Sequence, residues 1–153
     1  MSRRPARPAR WAGSLFVYGT LLFPDLVRAL IGRVPERTPA SVAGWRAAAL
    51  PGRAYPGLVR SAGATTGGLL LTGLTTAEWR VIDAFENGGY DLTEVALADG
   101  RPAWAYTWSD DVATLPEDWS AADFAARHLA DHVARCAVWR RQHESAEGGG
   151  QGA

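Results

Sequence analysis

Two runs of strand-forming residues on either side of Asp99-Gly100 constrain the fold of this chain more than any other feature. The first run covers Tyr90–Ala98 and the second covers Arg101–Trp108. An Asp-Gly pair between such runs is typical of a tight β-hairpin, because both residues accept the backbone angles of its turn. The sequence therefore predicts two adjacent antiparallel strands here.

Other strands are predicted upstream of this hairpin, and helices lie between and after them. The predicted strands are Leu15–Tyr18, Val42–Leu50, Tyr55–Val59 and Gly67–Leu74. The predicted helices are Asp25–Ile31, one that starts at the capping box Thr75-Thr76-Ala77-Glu78 and stops at Asn87-Gly88-Gly89, and one from about Ala121 to Gln142.

This order of elements indicates the fold class. The strands follow one another in meander-like runs, without the regular β-α alternation of a doubly wound parallel sheet. We therefore expect an α+β fold, either a small mixed β-barrel or a strongly curved sheet, flanked by helices.

Length and composition fit one ordinary globular domain. The 153 residues carry 16 basic and 16 acidic side chains, which does not favour nucleic acid or an anionic membrane as a partner. One cysteine excludes an internal disulfide, and no apolar run is long enough to span a bilayer, so we expect a cytoplasmic protein. We predict a disordered basic arm at 1–12, the domain at 13–143 and a disordered Gly-rich tail at 144–153.

The segment Tyr18-Gly19-Thr20-Leu21 is the first candidate binding element. It follows a predicted strand, and Gly19 allows a sharp turn and the close approach of a ligand. Backbone N–H groups in such a loop are not used by a sheet and can bind a carboxylate or an oxyanion. An ordinary strand-to-loop turn fits the same residues.

Glu86 is the second candidate. On the predicted helix it shares the apolar face of Trp79 and Ile82, where partial burial would raise its pKa toward neutrality and suit it to proton transfer. Asp83 points to nearly the same side, and periodicity does not distinguish the two carboxylates. A buried acid that caps a loop is the structural alternative.

Metal and cofactor chemistry find little support in the sequence. His128 and His132 have the i, i+4 spacing of zinc ligands but lack a third ligand, and we interpret them as solvated side chains. His143 lies near the predicted tail, and Cys136 lies on the apolar face of the last helix. No phosphate-binding or dinucleotide-binding glycine motif occurs, so we expect neither metal nor cofactor.

Aromatic residues alternate along the last predicted strand, at Trp104, Tyr106 and Trp108. Such rings can stack on nucleic acid bases, but no basic stripe accompanies them. We interpret them as core or pocket wall.

Several segments taken together resemble the γ-glutamylcyclotransferase-like superfamily. They are Phe16-Val17-Tyr18-Gly19-Thr20-Leu21-Leu22, Tyr55-Pro56-Gly57, and Ile82-Asp83-Ala84-Phe85-Glu86 with Tyr90 and Val95. The chain is most similar to the plant avirulence-induced-gene-like branch, which shares features with the γ-glutamylamine cyclotransferases. The resemblance covers about Leu15 to Trp108, and a tail like that branch's extends it through Leu115–Trp119.

The resemblance implies a small β-barrel with a pocket in which Tyr18, Gly19, Thr20 and Leu21 face Glu86. It also implies that the loop binds a γ-glutamyl group, that Glu86 accepts a proton, and that Tyr106 lines the pocket. The implied reaction releases 5-oxoproline and a free amine or amino acid without metal or cofactor. Family members commonly carry an arginine where this chain has Leu92, which suggests a different substrate preference.

Two other functions stay open at this point. The same pocket fits a binding module that holds a small acidic metabolite without turnover. It also fits a related acyl transfer or hydrolysis of amides that do not cyclise. The leaving amine and the oligomeric state do not follow from the sequence.

Overall fold

A computed structural model describes residues 13–86, 88–109 and 113–152, with side chains described as far as Ala146. The strands in these residues are β1 (Leu15–Val17), β2 (Glu36–Ala48), β3 (Gly57–Thr72), β4 (Tyr90–Ala96) and β5 (Pro102–Trp108). The α-helices there are α1 (Pro24–Ile31), α2 (Thr76–Phe85), α3 (Ala121–Arg127) and α4 (Leu129–Gly152). The predicted basic arm at 1–12 lies outside the described residues, and the predicted domain limits stay predictions.

The five strands form one mixed sheet in the order β2-β3-β1-β5-β4. β1 lies at the centre, antiparallel to β3 and parallel to β5, so Leu15 is opposite both Leu71 and Trp104. The predicted hairpin is confirmed, since β4 and β5 pair antiparallel from Tyr90 opposite Trp108 to Ala96 opposite Pro102.

The sheet is strongly curved but does not close into a barrel, so the fold class is confirmed and the barrel form is wrong. Over the described chain, the edge strands β2 and β4 share no ladder, although the Ala98 N–H donates to the Ser41 carbonyl over 2.8 Å. A different segment covers the edge of β2 near Ala48. There, residues 115–119 form backbone hydrogen bonds with Ala47 and Ala49.

The curved sheet has a hydrophobic core on each face, because side chains alternate along every strand. Phe16 and Tyr18 of the β1 segment point into the curve, toward Val42 and Val95 on the two edge strands. Leu15 and Val17 point to the other face, where helices cover the sheet. The side chains that the helices contribute there include Leu26, Leu30, Trp79, Ile82, Phe124 and Cys136.

The β2–β3 hairpin is longer than predicted. Tyr55–Val59 and Gly67–Leu74 are predicted as separate strands, yet β3 is continuous from Gly57 to Thr72, and β2 begins at Glu36. The connecting residues of β3 are small and mostly exposed, so no apolar alternation marks them, while the ladder with β2 holds them extended. The register of the β2–β3 pairing shifts between Ala43 and Trp45, at a bulge or similar irregularity.

The helices follow the predicted starts more closely than the predicted ends. At α2 the capping box is confirmed, because the Thr75 side chain accepts from the Glu78 N–H and the Glu78 side chain accepts from Thr75. The single helix predicted from Ala121 to Gln142 is wrong, since a break at His128 separates α3 from α4. This break lets Phe124 enter the core while α4 packs along α1.

The last helix continues through Gly152, and the tail predicted at 144–153 stays a prediction. No proline interrupts the chain there, and an ion pair between Arg140 and Glu144 at 3.1 Å supports the helix past residue 142. Among the described residues, no helix is both long and apolar enough to cross a membrane.

Gly68 permits the contact between β3 and β1 and gives a direct test of this packing. A Cβ atom at Gly68 would lie 2.1 Å from the Val17 carbonyl oxygen, whereas a Cβ at Gly67 would meet nothing within 4 Å. We expect Gly68→Ala to lower the free energy of unfolding by about 1–3 kcal/mol or more, as overpacking does. Gly67→Ala is the matched control, and chemical denaturation should show a change near zero for it.

Equal stabilities of the two variants would contradict this account of the β1–β3 contact.

Candidate functional site

The loop that follows β1 leaves several backbone donors available. A short 3₁₀ turn at Thr20–Leu22 follows Gly19, and the Leu22 N–H donates back to the Gly19 carbonyl over 3.0 Å. Within the described residues, the N–H groups of Gly19, Thr20 and Leu21 have no hydrogen-bond acceptor. These donors are free to bind an anionic or carbonyl oxygen.

Pro56 packs directly on this loop from the turn before β3. A Cβ atom at Gly19 would lie 2.8 Å from Cγ of Pro56, so a side chain at this position would force the loop and the turn apart. The Tyr90 hydroxyl donates to the Pro56 carbonyl over 2.5 Å and ties the turn to β4. Gly19 is therefore needed for the close fit of the loop and not only for the turn it makes.

The Tyr18 hydroxyl connects the loop to two strands. It donates to the Tyr106 carbonyl on β5 over 2.5 Å and accepts from the Leu58 N–H on β3 over 3.2 Å. Burial raises the pKa of Tyr18 well above its ordinary value, and the nearby Glu86 carboxylate acts in the same direction. Tyr18 is therefore a neutral, structural hydrogen-bonding group near neutral pH.

Glu86 lies at the C-terminal end of α2, where it is the capping residue and its N–H donates to the Ile82 carbonyl over 2.9 Å. The residue keeps partial exposure, and in the described chain no side chain is hydrogen-bonded to its carboxylate. Burial of the carboxyl raises the pKa of Glu86 to about 8, with a further contribution from the negative charge of Asp83. The helix dipole acts in the same direction, because a helix C-terminus disfavours negative charge.

The structure distinguishes the two carboxylates that periodicity leaves equivalent. Asp83 Oδ1 accepts a hydrogen bond from the Tyr106 hydroxyl over 3.1 Å. Glu86 faces two cavities that Asp83 does not line. Glu86 is therefore the carboxylate that a small molecule can reach.

A narrow pocket of about 30 Å³ brings together all six residues predicted for the site. That volume is about the space of one or two water molecules. The lining is Phe16, Val17, Tyr18, Gly19, Thr20, Leu21, Pro56, Glu86, Tyr90 and Tyr106. Sequence reasoning did not assign Pro56 and Tyr90 to the site, although both stand in the segments that carry the family resemblance.

A second and larger pocket, of about 310 Å³, adjoins the first. The two pockets share Thr20, Glu86 and Tyr90, so the Glu86 carboxylate stands between them. The remaining lining is Tyr55, Phe85, Gly88, His132, Arg135, Cys136 and Trp139. Sequence reasoning missed this pocket, because four of its ten lining residues come from α4, whose packing on α1 no local pattern reveals.

The histidines differ from the predicted solvated side chains. His132 is half-buried, packs edge-on against Phe124 with ring centres 5.0 Å apart, and lines the larger pocket. Burial lowers the pKa of His132, which favours the neutral ring. His128 is also half-buried, and His143 stacks on Trp139 at 4.8 Å. Over the described residues, no group of three His, Cys, Asp or Glu side chains is arranged to hold a metal ion.

Other residues singled out from the sequence belong to the core. Trp104, Tyr106 and Trp108 are each less than 10% exposed, which confirms their interpretation as core or pocket wall. Leu92 is 4% exposed and packs under the helices, so it lies at neither pocket. Cys136 is buried as predicted, and burial, followed by the Glu86 charge, raises the pKa of its thiol to about 11.

Arg53 lies next to Tyr55, which lines the larger pocket. Arg53 donates to the Tyr55 hydroxyl over 2.9 Å and lies over the Trp108 ring, beside the larger pocket.

The fold and this site define a class of small α+β domain with one accessible carboxylate facing a loop of free backbone donors. The family model described as "Gamma-glutamyl cyclotransferase, AIG2-like" matches residues 15–123. The chain belongs to this family.

Similar proteins agree with this assignment. AIG2-like protein C of Arabidopsis thaliana is 32% identical over 128 residues, which cover 80% of this chain and 74% of that protein. A solution structure of an Arabidopsis thaliana protein has a TM-score of 0.61 at 26% identity, over 88% of this chain and 84% of that one. A gamma-glutamyl cyclotransferase has a TM-score of 0.54 at 14% identity, over 67% and 69%, which is a likeness of fold.

The raised pKa of Glu86 predicts how stability depends on pH. Between about pH 4.5 and 8 the folded protein keeps a proton that the unfolded chain has lost. This contribution to stability is complete below pH 4.5 and decreases as pH rises through 8, by up to about 1.4 kcal/mol per pH unit. Glu86→Gln has no such titration, so we expect it to gain stability relative to wild type as pH rises from 5 to 8.

Chemical denaturation at several pH values measures this difference. Glu94→Gln, at an exposed position on β4, is the matched control and should follow the wild-type pH dependence. A stability difference between wild type and Glu86→Gln that stays constant over this range would mean that Glu86 titrates normally.

Proposed function

We propose that this protein is a γ-glutamyl cyclotransferase that converts a γ-glutamyl amide into 5-oxoproline and a free amine or amino acid. One observation carries the proposal: a carboxylate with a raised pKa faces unpaired backbone donors across a small pocket. The family membership supports the same reaction class. Glu86 is the proposed proton acceptor and donor, and Tyr18, Gly19, Thr20, Leu21 and Tyr106 form the proposed binding pocket.

The narrow pocket fits one end of such a substrate. Its volume admits a group as small as a carboxylate, and the N–H groups of Gly19, Thr20 and Leu21 are donors suited to that group. The neutral hydroxyl of Tyr18 adds no competing charge. We assign the substrate's α-carboxylate to this pocket, which leaves its α-amine and γ-carbonyl near Glu86.

The reaction needs little from the protein besides position and proton transfer. Holding the γ-glutamyl chain bent brings the α-amine against the γ-carbonyl carbon and removes much of the entropic barrier. The Glu86 carboxylate takes a proton from the α-ammonium group, and the amine nitrogen then attacks the carbonyl. This step forms the C–N bond of a five-membered ring.

Collapse of the tetrahedral intermediate breaks the bond to the leaving nitrogen, which receives the proton held by Glu86. The second proton of the ring nitrogen passes to the released amine, so the products are a neutral lactam and an ammonium. One C–N bond forms and one breaks, and every atom comes from the substrate. A carboxyl with a pKa of about 8 suits both roles, because it gains and loses a proton readily near neutral pH.

Two other functions fit the pocket less well. A module that only binds an acidic metabolite does not require a carboxyl that exchanges a proton near pH 8. Hydrolysis of an amide that does not cyclise requires a positioned water as nucleophile, whereas the proposed substrate supplies its own amine. Both alternatives stay distinguishable by the products formed.

Substitution of the carboxylate tests the reaction directly. We expect Glu86→Gln to release 5-oxoproline from γ-glutamyl amides about 100-fold to 10,000-fold more slowly than wild type, the usual contribution of a general acid–base group. Glu94→Gln, which changes an exposed glutamate on β4, should keep the wild-type rate. Saturable binding of glutamate-like ligands without 5-oxoproline would favour the binding module, and turnover of amides that lack an α-amine would favour hydrolysis.

The pH dependence of the rate tests the role of Glu86 as base. We expect kcat/KM to rise with pH, with the midpoint of this limb of the pH profile near pH 8. The reason is that the reaction starts from the carboxylate form of Glu86 in the free protein. Asp83→Asn removes a negative charge that raises the pKa of Glu86, so the limb should move to lower pH. A limb that stays in place in Asp83→Asn would contradict this assignment.

A further inference from the structure

The larger pocket lies where the leaving part of a γ-glutamyl substrate must go. Glu86 stands between the two pockets, and the narrow one is filled by little more than a carboxylate. A γ-glutamyl chain anchored there by its α-carboxylate therefore extends past Glu86 into the larger pocket. Its volume of about 310 Å³ is within the range of small-molecule sites.

The walls of this pocket are mainly apolar and aromatic. Tyr55, Phe85 and Trp139 contribute rings, and the buried Cys136 forms part of the floor with a thiol that burial keeps protonated. His132 packs on Phe124 and favours its neutral form. These surfaces gain free energy when an apolar group replaces water against them.

The charges around the pocket do not suit a second ammonium group. Apart from Glu86, the described residues of the lining include no carboxylate, and Glu86 is engaged with the reacting amine. The exposed Arg135 also lines this pocket, and its guanidinium lies 3.8 Å from the Asp131 carboxylate. Aromatic rings attract cations, but a cation placed here would lack an acidic partner in the described lining and would lie near the Arg135 guanidinium.

The main wall of the pocket is fixed before a ligand arrives. The Trp139 ring lies edge-on to Phe85, with ring centres 5.3 Å apart, and is stacked on the other side by His143 at 4.8 Å. Arg140, the next residue, donates to the Leu30 carbonyl at the end of α1 over 2.6 Å and docks α4 on the domain. A preformed wall binds without a large ordering cost.

We propose that the larger pocket is the leaving-group site and that it selects γ-glutamyl amides of apolar amines over those of small or cationic amines. This inference rests on the proposed cyclotransferase function and specifies its substrate class. Trp139 is the residue that contributes most to the selection, because its large ring lines the pocket and is held by Phe85 and His143.

Three γ-glutamyl amides test the selection on the wild-type protein. The ethylamide is small, and the hexylamide and the 5-aminopentylamide have the same number of heavy atoms but end in a methyl or an ammonium group. We expect kcat/KM for 5-oxoproline release from the hexylamide to exceed both others by about tenfold or more, because its added methylenes are buried. A 5-aminopentylamide that reacts as fast as the hexylamide would overturn the proposal.

A variant then assigns the selection to the pocket. Trp139→Ala should reduce the ratio of kcat/KM between hexylamide and ethylamide by at least about threefold. Val138→Ala, on the exposed neighbouring residue of the same helix, should keep the wild-type ratio. A ratio that is unchanged in Trp139→Ala would remove this pocket from the selection.

The outcomes separate the inference from the proposed function. Release of 5-oxoproline from the ethylamide that depends on Glu86, with no preference for the hexylamide, would leave the cyclotransferase standing and defeat the leaving-group site. If none of the three amides released 5-oxoproline, both the cyclotransferase function and the leaving-group site would be wrong.

Discussion

The Tyr18 hydroxyl donates to the carbonyl of Tyr106 and accepts from the N–H of Leu58, and both bonds lie at the place where the site forms. Through them the end of β1 is joined to β5 on one side and to β3 on the other. The loop of free backbone donors follows directly, and the Tyr106 hydroxyl in turn donates to Asp83, three residues before Glu86 on α2. Loss of the Tyr18 hydroxyl would remove its hydrogen bonds to both backbone groups and loosen both halves of the pocket at once.

Glu86 lowers the stability of the fold. Burial and the nearby Asp83 disfavour the carboxylate form of Glu86. The proposed reaction begins with that carboxylate form. The backbone of α2 secures the residue firmly, since Trp79 and Ile82 bury the same helix face and the Thr75 capping box fixes its start. Stability supplied by those contacts offsets the destabilising carboxyl, as is common where function requires strain.

Local patterns predicted much of the fold and of the narrow pocket, for reasons that particular residues make clear. The Asp99-Gly100 turn and the Thr75 capping box act over a few residues, so both were readable from the sequence. The middle of β3 was not, because its small exposed residues are held in place by β2. The choice of Glu86 over Asp83, the break at His128 and the wall from α4 all depend on contacts between segments distant in the chain.

The origin of the two pockets in the chain has a consequence for how the family can diverge. The loop after β1 and Glu86 fall within residues 15–123, which the family model matches, while His132, Cys136 and Trp139 fall beyond it. The helix that supplies them meets the rest of the domain mainly through side-chain contacts with α1. Under the proposed reaction, substitutions on one face of this helix can therefore exchange one leaving amine for another while the half of the site proposed for cyclisation stays as it is.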